Sequence, residues 1–145
     1  MPIRSQHTTI GIIGTGAMGR GIAQIAAQAG CRVLLLDARE GAAAEAKVAL
    51  EKQWGKLVEK GKLTADAAAS AAERLEVVAG MLDLTYANVV VEAIVEQLDA
   101  KRALFKELDD IVSADCVLAT NTSSLSVTSI AAGTAFPGRV AGFHF

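Results

Sequence analysis

The chain has 145 residues, 52% of them hydrophobic and 21% charged, with a formal net charge of -2. That is the length of one domain and a globular composition, which excludes extended disorder and a plain basic nucleic-acid binder, since neutralising phosphates takes a lysine and arginine excess. No apolar run approaches the roughly 18–20 residues that cross a bilayer, Met1–Thr9 is polar with no signal-peptide pattern, and two cysteines without metal-ligand spacing make neither a disulfide framework nor a metal site, so a soluble, cytoplasmic protein is expected.

Thr8–Ile13 reads as a short buried strand that runs directly into Gly14-Thr15-Gly16-Ala17-Met18-Gly19. Ala17–Ala29 is helical in composition, and Gly30 suits the residue just past its end. Arg32–Leu36 is a second buried strand, closed by Asp37. Strand, glycine turn, helix and strand make a βαβ unit, and the continuous apolar strands predict a parallel sheet covered on both faces. A long helix is expected from Glu40 to about Gly61 and another from Thr64 to Arg74, with Thr64 as a simple N-cap. This helical excursion after the second strand exceeds what a crossover needs. Leu75–Val78 and Asn88–Val91 are the next strands. A helix over Gln97–Val112 leads to a strand at Cys116–Thr120, then a polar turn and short helix over Asn121–Ala132, and a last strand at Arg139–Phe143. Alanine is about a fifth of the chain, so the core must come from the Val, Ile and Leu runs. Trp54, Leu57, Cys31 and Cys116 read as packing residues. The pattern is that of a Rossmann-type, doubly wound, mainly parallel α/β fold over residues 1–145.

The glycine turn carries the first functional signal. Gly14 permits the tight turn, Gly16 lets the backbone approach a pyrophosphate, and Gly19 allows the helix to pack closely on the strand. The anion would sit on the free N–H groups of the helix that starts near Ala17. Asp37 lies 18 residues after Gly19, close to the spacing of about 20 expected for a ribose-binding acid. A carboxylate there accepts from ribose hydroxyls and repels a 2′-phosphate, which favours NAD over NADP. Arg39 could instead meet that phosphate, FAD shares the fold, and a purely structural turn with Asp37 as a strand-end cap stays open.

The second signal is the pairing of Asn121-Thr122-Ser123-Ser124 with His144. Both follow strands at the carboxyl edge, where open α/β sheets bind ligands. A hydroxyl and an imidazole beside a nicotinamide suit alcohol oxidation. Ser123 and Ser124 also fit helix N-caps, and His144 an ordinary strand-end histidine. Lys52, Lys56 and Lys60 recur every four residues, so they share a helix face, either a solvated stripe or a basic patch for phosphates.

The segments Gly14–Gly19, Val91-Glu92-Ala93-Ile94-Val95-Glu96, Asn121-Thr122-Ser123-Ser124 and Gly142-Phe143-His144-Phe145 resemble the NAD-binding domain of the L-3-hydroxyacyl-CoA dehydrogenase family, over nearly the whole chain from Ile10 to Phe145. The resemblance implies an enzyme that oxidises the 3-hydroxyl of an acyl-CoA with NAD, in fatty-acid, butanoate or aromatic-acid (phenylacetate) breakdown. It implies that Ser123 hydrogen-bonds the substrate oxygen, that His144 is the general acid/base and that Asn121 shapes the same pocket. Gly14, Thr15, Gly16, Ala17, Met18, Gly19 and Asp37 would hold NAD, with Glu96 and Lys101 on its ribose and nicotinamide side. From the residues alone, Lys101 reads as a solvated helix lysine and Glu96 as a strand-end acid. Lys60 and Lys56 would meet the CoA moiety.

The family continues past the histidine into an Asn-Pro turn, a glutamate that orients the imidazole, and a helical domain that completes the pocket and forms the homodimer. This sequence stops at Phe145 and is read as cut short. It is therefore expected to bind NAD and to turn over 3-hydroxyacyl-CoA poorly or not at all. The alternatives are a small hydroxyacid or sugar-acid dehydrogenase of related fold, or a non-enzymatic NAD-binding module.

Overall fold

The computed structural model describes residues 7–121 and 127–143. In chain order the elements are β1 (Thr9–Ile13), α1 (Ala17–Gln28), β2 (Arg32–Leu36), α2 (Ala42–Glu59), α3 (Ala65–Arg74), β3 (Leu75–Val77), β4 (Val89–Glu92), α4 (Leu98–Ile111), β5 (Val117–Asn121), α5 (Val127–Ala131) and β6 (Val140–Phe143). They build one six-stranded sheet in the order β3-β2-β1-β4-β5-β6, with every neighbouring pair parallel. The expected doubly wound α/β architecture is what forms.

The strands are apolar at successive positions because both faces of the sheet are covered. Side chains alternate across a strand, so Ile12, Val33, Leu35, Val91 and Ala119 enter one core with α1, α2 and α3. Ile13, Leu34, Leu36, Val90 and Leu118 enter the other, with Phe105 and Leu108 of α4 and Ile130 of α5. On α1 the buried residues Gly19, Ile22, Ala23, Ala26 and Ala27 recur at helical spacing, and their small size brings the helix close to the sheet. Trp54 on α2 is fully buried, and its indole N–H donates to Gln28 Oε1 at 3.1 Å. At roughly 25 cal/mol per Å2, an indole of this size is among the largest single contributions to the core. Leu57 packs against the same cluster, and Cys31 and Cys116 are buried, where desolvation pushes both thiols up. The packing role read for these four residues holds.

Many boundaries shift by a residue or two from expectation, three of them for a visible reason. The long helix begins at Ala42 rather than Glu40, because Gly41 turns the chain in the left-handed region at φ 82°. Asn121 closes β5 instead of opening a turn, since it finds a partner in Phe143. Arg139 sits in a 3₁₀ turn over Pro137–Arg139 and not in the last strand, because its guanidinium is drawn down onto α4. There Nη2 meets Asp109 Oδ1 at 2.6 Å and the Asp109 carbonyl at 3.1 Å. Thr64 caps α3 as expected, its hydroxyl accepting from the Ala67 N–H at 3.1 Å.

Candidate functional site

Register decides where the site lies. Ile13 is level with Leu36 and with Glu92, Glu92 with Thr120, and Asn121 with Phe143. The carboxyl ends of β1, β2, β4, β5 and β6 therefore share one edge. Between β1 and β4 the strand order reverses, and connections leave toward opposite faces, which opens a crevice at that edge. A groove of about 620 Å3 occupies it, lined among others by Gly14, Thr15, Gly16, Asp37, Ala93 and Ile94.

Each glycine of the turn is used differently. Gly14 adopts φ 96°, and a Cβ there would collide with the Ala93 carbonyl of β4's exit. A Cβ on Gly19 would collide with the Gly14 carbonyl, so the first turn of α1 rests directly on the loop. A Cβ on Gly16 would meet nothing within 4 Å and would project into open space, where a ligand backbone can approach. Gly16 is the N-cap of α1, no side chain caps the helix, and its first turn holds no acid. The N–H groups of that turn, in the stretch Ala17-Met18-Gly19, are thus available to an anion, with the helix dipole favouring one.

Asp37 is tied to this loop. Its Oδ2 accepts from the Thr15 N–H at 2.7 Å and from the Thr15 hydroxyl at 2.8 Å, while Oδ1 accepts from the Arg39 N–H at 2.9 Å. Burial pushes the carboxyl up, but the backbone N–H groups of Arg39 and Thr15, the Thr15 hydroxyl and the Arg39 charge outweigh it and hold Asp37 below the ordinary carboxylate value. It is an anion at neutral pH, beside the groove and at the end of β2, where an acceptor for two vicinal hydroxyls is needed.

A second cluster lies at the end of β4. Glu92, Lys101 and Thr120 are wholly buried. Lys101 Nζ reaches Glu92 Oε2 at 2.8 Å and Oε1 at 3.0 Å, Glu96 Oε1 at 3.0 Å and the Asn121 carbonyl at 3.4 Å. Glu92 also accepts from the Thr120 hydroxyl at 2.5 Å and from the Ile94 N–H at 2.8 Å. Lys101 is therefore not a solvated helix lysine. It does not line the groove, and neither does Glu96; the ammonium instead knits β4, α4 and β5 together at the edge that faces it. Sequence reasoning missed Glu92 as the centre of this network. Its only signal was an acid closing the apolar run Val89-Val90-Val91, with a lysine nine residues on.

Ser123, Ser124 and His144 lie outside the described residues. Asn121 is described, half-buried at the end of β5. Lys52, Lys56 and Lys60 are all exposed along α2 and its C-cap, and none of them lines the groove. Among the described residues, no helix is long and apolar enough to cross a membrane.

A wholly parallel sheet with a glycine turn, an uncapped helix and a strand-end acid meeting beside its switch point defines a dinucleotide-binding domain. Residues 9–145 match the family described as 3-hydroxyacyl-CoA dehydrogenase, NAD binding domain, and the chain belongs to that family, whose cofactor is NAD. It is 43% identical over 135 residues to a probable 3-hydroxybutyryl-CoA dehydrogenase of Deinococcus radiodurans, covering 93% of this chain and 48% of the relative. It is 42% identical over 137 residues to the 3-hydroxyadipyl-CoA dehydrogenase of Escherichia coli, covering 94% of this chain and 29% of the relative. The crystal structure of a (S)-3-hydroxybutyryl-CoA dehydrogenase from Ralstonia eutropha superposes with a TM-score of 0.90 at 37% identity, over 94% of this chain and 48% of that one. The chain thus spans half or less of the length of the relatives it matches.

Proposed function

We propose that the chain is the cofactor-binding part of an enzyme that oxidises the 3-hydroxyl of an (S)-3-hydroxyacyl-CoA to the 3-ketone. The observation that carries this reading is the side-by-side ending of β5 and β6, Asn121 opposite Phe143, at the edge that also bears Gly14 and Asp37. Ser123 and His144 follow those two strand ends in the sequence. The residues present fit NAD: an uncapped α1 for the pyrophosphate, open space over Gly16 and an ionised Asp37 for the adenosine ribose.

NAD, when bound, supplies the acceptor for the hydride that leaves the substrate C3. The chain's own part is to place and deprotonate the alcohol. Ser123 donates to the substrate oxygen, and the His144 imidazole takes the hydroxyl proton as the hydride departs. Asn121 borders that pocket. Lys101 serves it by holding Glu96 and the Asn121 carbonyl at the edge. Lys56 and Lys60, exposed on α2, are free to meet the phosphates of CoA. A cytoplasmic location belongs to the same proposal, in keeping with a metabolic enzyme that takes an acyl-CoA.

The experiment is a thermal-shift and fluorescence titration with NADH, repeated with acetoacetyl-CoA added. Saturable NADH binding and further protection by the acyl-CoA are expected. NADH binding without acyl-CoA protection would favour a small hydroxyacid substrate.

A further inference from the structure

Arg39 adjoins the groove-lining residues Asp37 and Ala38, and its charge suits the wrong cofactor. It follows Asp37 by two positions, and a guanidinium there is what a 2′-phosphate seeks. The structure shows it already engaged: Arg39 Nη2 lies 2.7 Å from Glu45 Oε2. The engagement is built by the local chain path. The turn Arg39–Ala42 is closed by Ala42 N–H donating to the Arg39 carbonyl at 3.1 Å, Gly41 swings left-handed at φ 82°, and α2 starts with Glu45 in its first turn. There the helix dipole also favours the carboxylate.

Resting on the reading of the groove as an NAD site, we propose that Glu45 is a specificity-determining residue that withholds Arg39 from a 2′-phosphate and so reinforces the choice of NAD made by Asp37. A bound 2′-phosphate carries between one and two negative charges near neutral pH. To reach Arg39 it must exchange one charge-assisted hydrogen bond for another, which brings little net gain. It also leaves Glu45 unpaired near a phosphate that carries negative charge of its own. A ribose with a free 2′-hydroxyl leaves the Arg39–Glu45 pair untouched. Specificity here arises from what the wrong ligand would have to break. The Glu45 hydrogen bond and charge raise the Arg39 guanidinium, as does the charge of Asp37 more weakly, so the cation lies within the field of both acids.

The test is a fluorescence titration of the parent chain, E45Q, R39Q and R39Q/E45Q with NADH and with NADPH. Both substituted positions are exposed, and glutamine keeps the length of Glu45 and part of the bulk of Arg39. In E45Q the NADPH-to-NADH affinity ratio is expected to rise roughly two- to fivefold, the scale of an exposed ion pair, and the gain is expected to shrink as salt is raised. On the R39Q background the same substitution should give a smaller gain, because no guanidinium is left to release. An unchanged ratio in E45Q, with NADH binding intact, overturns the proposal alone. A gain of equal size without Arg39 also overturns it, since loss of a negative charge would then suffice. Failure of the parent chain to bind NADH would overturn the reading of the groove and the proposal with it.

Discussion

Lys101 Nζ sits 2.8 Å from Glu92 Oε2, and neither side chain has any exposed surface. An ion pair so placed is held by geometry, because each partner left alone would be a buried charge without solvation. K101M is expected to destabilise the chain by about 3–5 kcal/mol, read as a drop in the urea midpoint. K101M/E92Q removes both charges, the glutamine oxygen still accepting from the Ile94 N–H while its NH2 donates to a turned Thr120 hydroxyl, and should recover roughly half or more of that loss. Equal midpoints for the single and double variants would show that packing of the lysine stem, and not charge, is what matters.

The glycine turn separates stability from binding. G19A places a Cβ against the Gly14 carbonyl, so the helix must shift off the loop, with a loss of roughly 1–3 kcal/mol as in other overpacked sites. G16A meets no atom within 4 Å and has an extended backbone that alanine accepts. Its stability loss should stay near or below about 1 kcal/mol, the scale of a lost helix-cap preference, while its NADH affinity falls. A G16A variant that binds NADH like the parent would place the ligand elsewhere.

Acid sensitivity follows from two carboxylates. In Asp37, burial raises the group but the Arg39 and Thr15 hydrogen bonds bring it below the ordinary value. In Asp109, burial likewise raises it, but the Arg139 hydrogen bond, the Ala135 N–H and the Arg139 charge bring it below the ordinary value. A group lowered in the folded state binds fewer protons there than in the unfolded chain, so stability rises with pH across that window. Both contributions are present above the unfolded value of about 4 and are lost as pH falls through the lower folded values. Urea midpoints measured from pH 7 down to about 2.5 should therefore fall most steeply below about pH 4, and D37N should flatten that limb. A D37N curve parallel to the parent's would contradict the assignment.

Arg139 fastens the last strand. Its side chain is nearly buried, as is that of Asp109, and it also donates to the Asp109 carbonyl and to the Ser113 carbonyl at the end of α4. R139M strands the Asp109 carboxylate and those carbonyls, and a loss of about 3–5 kcal/mol is expected, as for a broken buried pair. Hydrogen exchange should report faster opening of β6 than of β1. Uniform destabilisation, with β6 no more open than β1, would mean that the clamp acts on the whole sheet.

The order of strands and helices, the glycine turn and Asp37 were legible because their signals are local. Gly14, needed at φ 96°, directly follows one apolar run of strand length, and Asp37 directly closes the next. The start of α2 was misplaced by two residues because nothing local distinguishes Glu40 as helical from Glu40 in the turn before Gly41. Asn121 was assigned to a turn because its strand partner, Phe143, is 22 positions away. The alternatives left open by the glycine motif narrowed through the family match over residues 9–145. Ser123 and His144 rest on sequence resemblance alone.

By itself the sequence determined a doubly wound α/β domain with a dinucleotide turn, since backbone freedom at glycine and the burial of apolar runs act over short distances. Only the tertiary structure decided which charges are paired. Lys101 is enclosed by Glu92 and Glu96, Arg39 is occupied by Glu45, and Asp109 is held by Arg139, across separations of 5 to 30 residues. A charge's partner depends on which helix packs over which strand, and its strength on the water that packing excludes.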